Sequence, residues 1–419
     1  MANAPIKDVI IPAVSYLMWR PKSQIGVGDV HISPLAKKYI QKILETERVT
    51  YGTFIAAFEK EFAAAHNLRY AIFTNSGTSA LQVALHALKI THHWQDGDEI
   101  IVPALTFVAT VNIILQNNLR PIFVDVDPRY YDINPLCIQE QITSRTRAII
   151  PVHIGGQPAD MGPIVKLAKK NGLKIIEDSC ETMFAKYHGQ PVGTFGDIAC
   201  FSTYAAHTLV TGVGGLICTN NHRLAILAKS LVNHGRDGIY IAIDDDQGKR
   251  KQDLFRIVGR RFKFTEVGYS YRATEFEGAL GLAQMKDWRT FIKKRQKNAA
   301  QLSQGFADLS QFLQLPTIRP KSEHIFMFYP LIIKDRRVKR LQLIHFLEEN
   351  LIETRYLLPL LNQPVYKKLF GNLENEYPEA KHIAHHGFYI GCHPGLDEQE
   401  LNYIIYKMHE FFRKKRLVV

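Results

Sequence analysis

Gly196-Asp-Ile-Ala-Cys-Phe-Ser-Thr-Tyr-Ala-Ala-His-Thr-Leu-Val-Thr-Gly-Val-Gly-Gly215 is the stretch whose reading decides the fold. An apolar, β-prone run from Ile198 to Phe201 leads to Ser202 and the segment Tyr204-Ala-Ala-His207. A glycine-rich turn then feeds a second strand-like run, Gly215-Leu-Ile-Cys-Thr219. Outward from this pair, similar runs recur at Ala71 to Thr74, Glu99 to Val102, Pro121 to Val126, Ala148 to His153 and Lys174 to Glu177. Most are separated by enough residues for a crossover helix, which predicts an α/β fold with a mostly parallel seven-stranded sheet covered on both faces. Open sheets of this kind bind ligands beyond the carboxyl ends of their strands.

The flanks complete the organisation. Pro5, Pro12, Pro21 and Gly26 mark residues 1–30 as an extended arm. Helical spacing follows at Ser33 to Leu44 and Phe54 to Ala65, with a turn at Thr50-Tyr-Gly52 between them. A large domain is expected over residues 31–270. Within it, Asp237 to Phe264 reads as a long loop or insertion. Tyr271 to Lys297 reads as a helix bridging into a smaller C-terminal α/β domain, residues 271–419. That domain has a strand candidate at Met327 to Ile333 and amphipathic helices at Val338 to Asn350 and Glu398 to Lys414.

With 46% hydrophobic and 22% charged residues over 419 positions, the composition is that of a globular protein with a large core. No apolar run is long enough to span a bilayer and no signal peptide is visible, so the expected location is the cytoplasm, with no membrane partner. The five cysteines are scattered without Cys-x-x-Cys or zinc spacing, so no metal site is expected. The net charge of +12 suggests anionic partners. Its basic residues form no aromatic-interleaved or recognised nucleic-acid motif, so a nucleotide diphosphate or solvated faces explain it and nucleic acid is not expected.

Two short segments point to a site. Asn75-Ser-Gly77-Thr78-Ser79-Ala80 follows a strand and opens a helical stretch, so its amides and hydroxyls can receive a phosphate or serve only as a helix cap. Glu177-Asp178 ends a strand, where a carboxylate can cap a helix or face a cationic ligand.

The Gly196–Gly215 stretch resembles the cofactor-lysine segment of the DegT/DnrJ sugar aminotransferases, pyridoxal-phosphate proteins that read Ser-Phe-Tyr-Pro-Thr-Lys-Asn-Leu-Thr-Thr-Gly-Glu-Gly-Gly there. Counted back from Gly214-Gly215, His207 stands where the lysine would be. An imidazole can relay protons but has no primary amine to hold the cofactor covalently. One branch of the family, the nucleotide-sugar 3-dehydratases, reads Tyr-Pro-Ala-His, which Tyr204-Ala-Ala-His207 matches at three of four positions.

The resemblance covers residues 25–419 and implies the aspartate aminotransferase fold of type I. It further implies that Gly77, Thr78, Ser79 and Ser202 bind the cofactor phosphate, that Asp178 pairs with the pyridine nitrogen and that Phe107 stacks on the ring. Gln157 would lie beside the cofactor. Asn233, in Asn-His-Gly-Arg236, would reach the phosphate of a neighbouring subunit, implying a homodimer with shared sites. Glu177-Asp-Ser-Cys-Glu181, Thr354-Arg-Tyr-Leu-Leu358 and Phe388-Tyr-Ile-Gly-Cys-His-Pro-Gly-Leu396 resemble the dehydratase text, whereas Asn233-His234 and Val213 depart from it.

By analogy, glutamate or another amino donor would convert pyridoxal phosphate to pyridoxamine phosphate. His207 and Asp178 would then serve removal of the C3 hydroxyl from a nucleotide-linked 4-keto-6-deoxyhexose. An aminotransferase whose lysine has been replaced, and a non-catalytic cofactor-binding relative, are the alternatives.

Overall fold

The computed structural model describes residues 19–237 and 248–418. Along the chain the strands are β1 (Tyr70–Thr74), β2 (Glu99–Pro103), β3 (Arg120–Val124), β4 (Thr146–Ile149), β5 (Lys174–Asp178), a hairpin of β6 (Lys186–Tyr187) and β7 (Gln190–Pro191), β8 (Ile198–Ser202) and β9 (Gly215–Thr219). Seven of them form one sheet in the order β1-β9-β8-β5-β4-β2-β3. All seven strand-like runs of the sequence are in it. Only β9 is antiparallel to its neighbours, with Gly215 opposite both Thr74 and Ser202. The carboxyl ends of β1 and β8 therefore meet the amino end of β9 at one point on the sheet edge.

Alternation along β8 assigns its side chains to two cores. Ile198 and Cys200 join a cluster with Ala84 and Leu88 of the helix Gly77–Thr91. Ala199 and Phe201 join another with Phe58 and Phe62 of the helix Thr53–Ala65. Both faces are thus covered, as continuous apolar strands require.

The C-terminal part adds β10 (Leu313–Gln314), β11 (Ser322–Glu323), β12 (Tyr329–Ile333), β13 (Thr354–Tyr356) and β14 (Gly387–Ile390). β11 extends the β6–β7 hairpin, and the others form an antiparallel sheet in the order β10-β12-β14-β13. Its apolar residues pack with Leu302, Leu343, Leu347, Ile404 and Met408 from the helices Trp288–Gly305, Arg340–Glu349 and Glu398–Lys414. The described part of the arm docks here, with Ile25 buried in this core and bridged to Ile352.

Two expectations change. Tyr271 to Lys297 is two helices, Glu275–Gln284 and Trp288–Gly305. Tertiary contacts override composition at the break: Gln284 is tied to the backbone of Val210, and Trp288 stacks on Phe184 at 4.2 Å between centroids. The supposed loop Asp237 to Phe264 contains the helix Lys251–Arg260, whose apolar residues Leu254, Phe255, Ile257 and Val258 recur at helical spacing between charged runs; residues 238–247 lie outside the described part.

Candidate active site

The helix Gly77–Thr91 begins where β1 ends, and Ser76 caps it: its hydroxyl accepts from the Ser79 amide at 3.0 Å and donates to the Ser79 hydroxyl at 2.9 Å. A Cβ on Gly77 would lie 2.7 Å from Ser202 Cβ and 2.9 Å from Cys180 Sγ. Glycine therefore lets the helix amino end press onto the ends of β8 and β5, where its free amides favour an anion. Gly215 is held as tightly, because a Cβ there would meet Ser76 O at 2.4 Å.

In front of these strand ends lies a cavity of about 350 Å³. It brings together Gly77, Thr78, Phe107, Asp178, Ser202 and His207, six residues separated by as many as 130 positions in sequence (207 − 77). Phe107 is 58% exposed, leaving a ring face open for a planar ligand.

Asp178 is buried at the carboxyl end of β5. Its carboxylate accepts from Thr110 Oγ1 at 2.8 Å and from the Cys180 amide at 3.2 Å. Burial raises its carboxyl above the ordinary value, and those hydrogen bonds oppose the rise. Among the described residues it forms no ion pair, so the negative charge awaits a cation. Glu177, one residue earlier, has no such vacancy. It accepts from the amides of Gly193, Phe195 and Gly196, each at 2.7 Å, and lies 3.1 Å from His153 Nε2. It holds the turn leading into β8.

His207 projects from the loop between β8 and β9. Its Nδ1 donates to the Tyr204 carbonyl at 3.3 Å, which leaves the lone pair on Nε2. Thr203 and Thr211 pair through their hydroxyls at 2.6 Å across the loop, and Gln284 grips Val210 N at 2.9 Å. Desolvation pushes the imidazole down to about 4; the Tyr204 carbonyl pulls it up and the Arg295 guanidinium lowers it further. The ring is a neutral base at physiological pH. Among the described residues no lysine lines the cavity.

Three expected residues sit elsewhere. Ser79 is engaged in the helix cap. Gln157 is buried and pins the loop after β10, donating to the Thr317 carbonyl at 2.9 Å and accepting from the Arg319 amide at 2.8 Å. Asn233 lines a second cavity of about 380 Å³ with Lys229 and Arg272, and its buried Oδ1 has no partner among the described residues.

Other lining residues received no role from sequence: Thr110, Glu181, Met327, Leu358 and Tyr389. Glu181 accepts from the Gly155 amide at 3.0 Å, and burial raises its carboxyl to about 7. Its place three residues beyond Asp178 was the available signal. Met327, Leu358 and Tyr389 come from the second sheet's surroundings, which no local pattern links to the first.

Comparison with known proteins gives a consistent picture. The profile of the DegT/DnrJ/EryC1/StrS aminotransferase family matches residues 31–409. The lipopolysaccharide biosynthesis protein RfbH of Salmonella typhimurium is 34% identical over 377 residues, covering 87% of this chain and 86% of its own. GDP-perosamine synthase of Escherichia coli O157:H7 is 32% identical over 395 residues, covering 93% and 99%. The solved structure of E. coli GDP-4-keto-6-deoxy-D-mannose-3-dehydratase with bound hydrated PLP superimposes with a TM-score of 0.82 at 28% identity, covering 92% of this chain and 99% of that one.

Proposed function

The chain belongs to the DegT/DnrJ/EryC1/StrS aminotransferase family, and within it we propose that the protein is a pyridoxamine-phosphate-dependent 3-dehydratase of a nucleotide-linked 4-keto-6-deoxyhexose. The observation that carries this reading is the imidazole of His207 in a cavity that, among the described residues, no lysine lines.

The residues fit a pyridine phosphate. The buried carboxylate of Asp178 has no cation among the described residues, and a protonated pyridine nitrogen would supply one. The amino end of Gly77–Thr91, with Thr78 and Ser202, suits the phosphate, and the open face of Phe107 suits the ring. When bound, the cofactor supplies the amine that engages the sugar ketone and the electron-accepting ring through which the C3 hydroxyl leaves. His207 holds its lone pair on Nε2 and can take a proton there, because Nδ1 is committed to Tyr204. Asp178 would hold negative charge for the pyridine nitrogen, with its carboxylate oriented by Thr110.

Glutamate is the amino donor we assign. A homodimer with shared sites is supported by the unpartnered amide oxygen of Asn233 in its cationic cavity. The exposed apolar side chains of Phe262, Phe264 and Val267 further along the chain support it too.

Incubation with pyridoxal phosphate, glutamate and a panel of 4-keto nucleotide sugars should release ammonia stoichiometrically and yield a sugar lacking its C3 oxygen by mass. Amino-sugar formation without loss of that oxygen would instead favour an aminotransferase with a replaced lysine, the reading to which the perosamine synthase relative lends weight.

A further inference from the structure

Arg295 lies on the helix Trp288–Gly305 and is only 1% exposed. A guanidinium taken out of water is strongly unfavourable unless paired. Among the described residues this one has no carboxylate partner, and its buried Nε has no acceptor. It binds backbone carbonyls alone. Nη1 donates to Phe326 O at 3.2 Å and Met327 O at 2.6 Å, and Nη2 donates to His207 O at 3.3 Å. Those carbonyls belong to two separate walls of the site, because Met327 and His207 both line the cavity. From the other side the arm presses on the same loop: a Cβ on Gly28 would lie 2.9 Å from Ala206 Cα.

We propose that Arg295 is a positioning residue for His207. Its guanidinium fastens the His207 carbonyl to the Phe326–Met327 backbone, which aims the imidazole into the cavity, and it places a positive charge on the backbone of the same residue. The role matters for turnover only if His207 is the base assigned above; the placement itself does not depend on that assignment.

The charged and titratable surroundings agree. His207 shares its cavity with Asp178, Cys180 and Glu181 at the end of β5, Tyr204 on its own loop and Tyr389 of β14. Arg295 faces Asp29 of the arm, which is exposed, and Cys392, whose thiol donates to the Arg295 carbonyl at 3.3 Å. His393, beyond β14, is itself pushed down to about 4 by burial and then by Arg295. The buried charge is thus felt by two imidazoles and neutralised at neither.

The test uses the full chain with labelled histidines and NMR titration, with the His207 resonance assigned by its loss in His207→Gln. Arg295→Gln keeps donors for the carbonyls but removes the charge, whereas Arg295→Lys keeps the charge and loses the fork. The midpoint of His207 should rise in the glutamine variant while staying below the ordinary histidine value of 6.5, because desolvation, the larger cause, persists, and it should stay at the parent's value in the lysine variant. The acid limb of any turnover profile should move with it. An unchanged midpoint in folded Arg295→Gln overturns the proposal. If that variant does not fold, Arg295→Lys decides: a midpoint as low as the parent's supports the charge, and a midpoint above the parent's overturns it. A rise in Arg295→Gln alone supports the proposal even in a protein that dehydrates none of the sugars tested.

Discussion

Asp178→Asn should move two measurable quantities in opposite directions. In the cofactor-free protein the carboxylate is buried with neutral donors, Thr110 Oγ1 at 2.8 Å, Cys180 N at 3.2 Å and the Cys180 thiol, and among the described residues it has no cation. Asparagine preserves the shape and the oxygen facing Thr110 and removes the desolvated charge, at the cost of the longer bond from the Cys180 amide, so the cofactor-free variant should melt at a higher temperature than the parent. The sign with pH follows from the direction of the shift. A carboxyl raised above its ordinary value of 3.8 in the folded state destabilises most when ionised in both states. The stability gap should therefore be open at neutral pH and close below about pH 4, where the side chain is protonated folded and unfolded alike.

Cofactor affinity should go the other way. A hydrogen bond to a charged group contributes about 1.5–3 kcal/mol, so losing the anion opposite a protonated pyridine nitrogen should weaken binding of pyridoxal phosphate by roughly 10- to 150-fold. Thermal melts of parent and variant with and without pyridoxal phosphate, and its dissociation constant by absorbance titration, measure both. A cofactor-free variant less stable than the parent, or one that binds as tightly, would refute the assignment of Asp178 as an anion kept for the ring.

Replacing the base itself, His207→Lys should cut dehydration about 10²- to 10⁴-fold; multiple-turnover amino-sugar formation in that variant, assayed with glutamate, would shift the reading to an aminotransferase. Gly77→Ala places a methyl 2.7 Å from Ser202 Cβ and should abolish binding of pyridoxal phosphate in the same titration, with stability measured alongside to separate the two effects. His66 is sealed between Phe62 and Phe184, donating from Nδ1 to Phe62 O and accepting the Phe184 amide on Nε2, each at 3.0 Å, and burial pushes it down to about 4. The stability it confers while neutral is complete above pH 6.5 and is lost as pH falls toward about 4, by on the order of 3 kcal/mol; urea midpoints of His66→Gln should show correspondingly less acid sensitivity.

The large sheet was legible because each of its strands is a short apolar run closed by a turn, and because a helix long enough to cross over follows most of them. Gly77 and Asp178 were legible for the same reason, as they stand where such runs end or just beyond, whereas Ser202 was singled out by the family resemblance. Residues whose place depends on distant packing were not. Met327 and Tyr389 reach the cavity only because the second sheet docks against the first. Gln157 and Ser79 carried the right sequence context, yet their side chains are held by Arg319, Thr317 and Ser76. The helix Lys251–Arg260 escaped although Leu254, Phe255, Ile257 and Val258 stand at helical spacing, because the acidic and basic runs that flank them set the reading of the whole stretch.

The loop bearing His207 is secured through its backbone and its neighbours: Gln284 holds Val210, Thr203 holds Thr211, and Arg295 holds the carbonyl of residue 207 itself. None of these contacts uses the imidazole. The fold has therefore separated the scaffold from the reagent, as a tool holder is separate from its bit. A duplicated gene could change the reaction at this position through a single codon, without rebuilding a strand or a helix, and divergence of chemistry would leave almost no trace in the architecture.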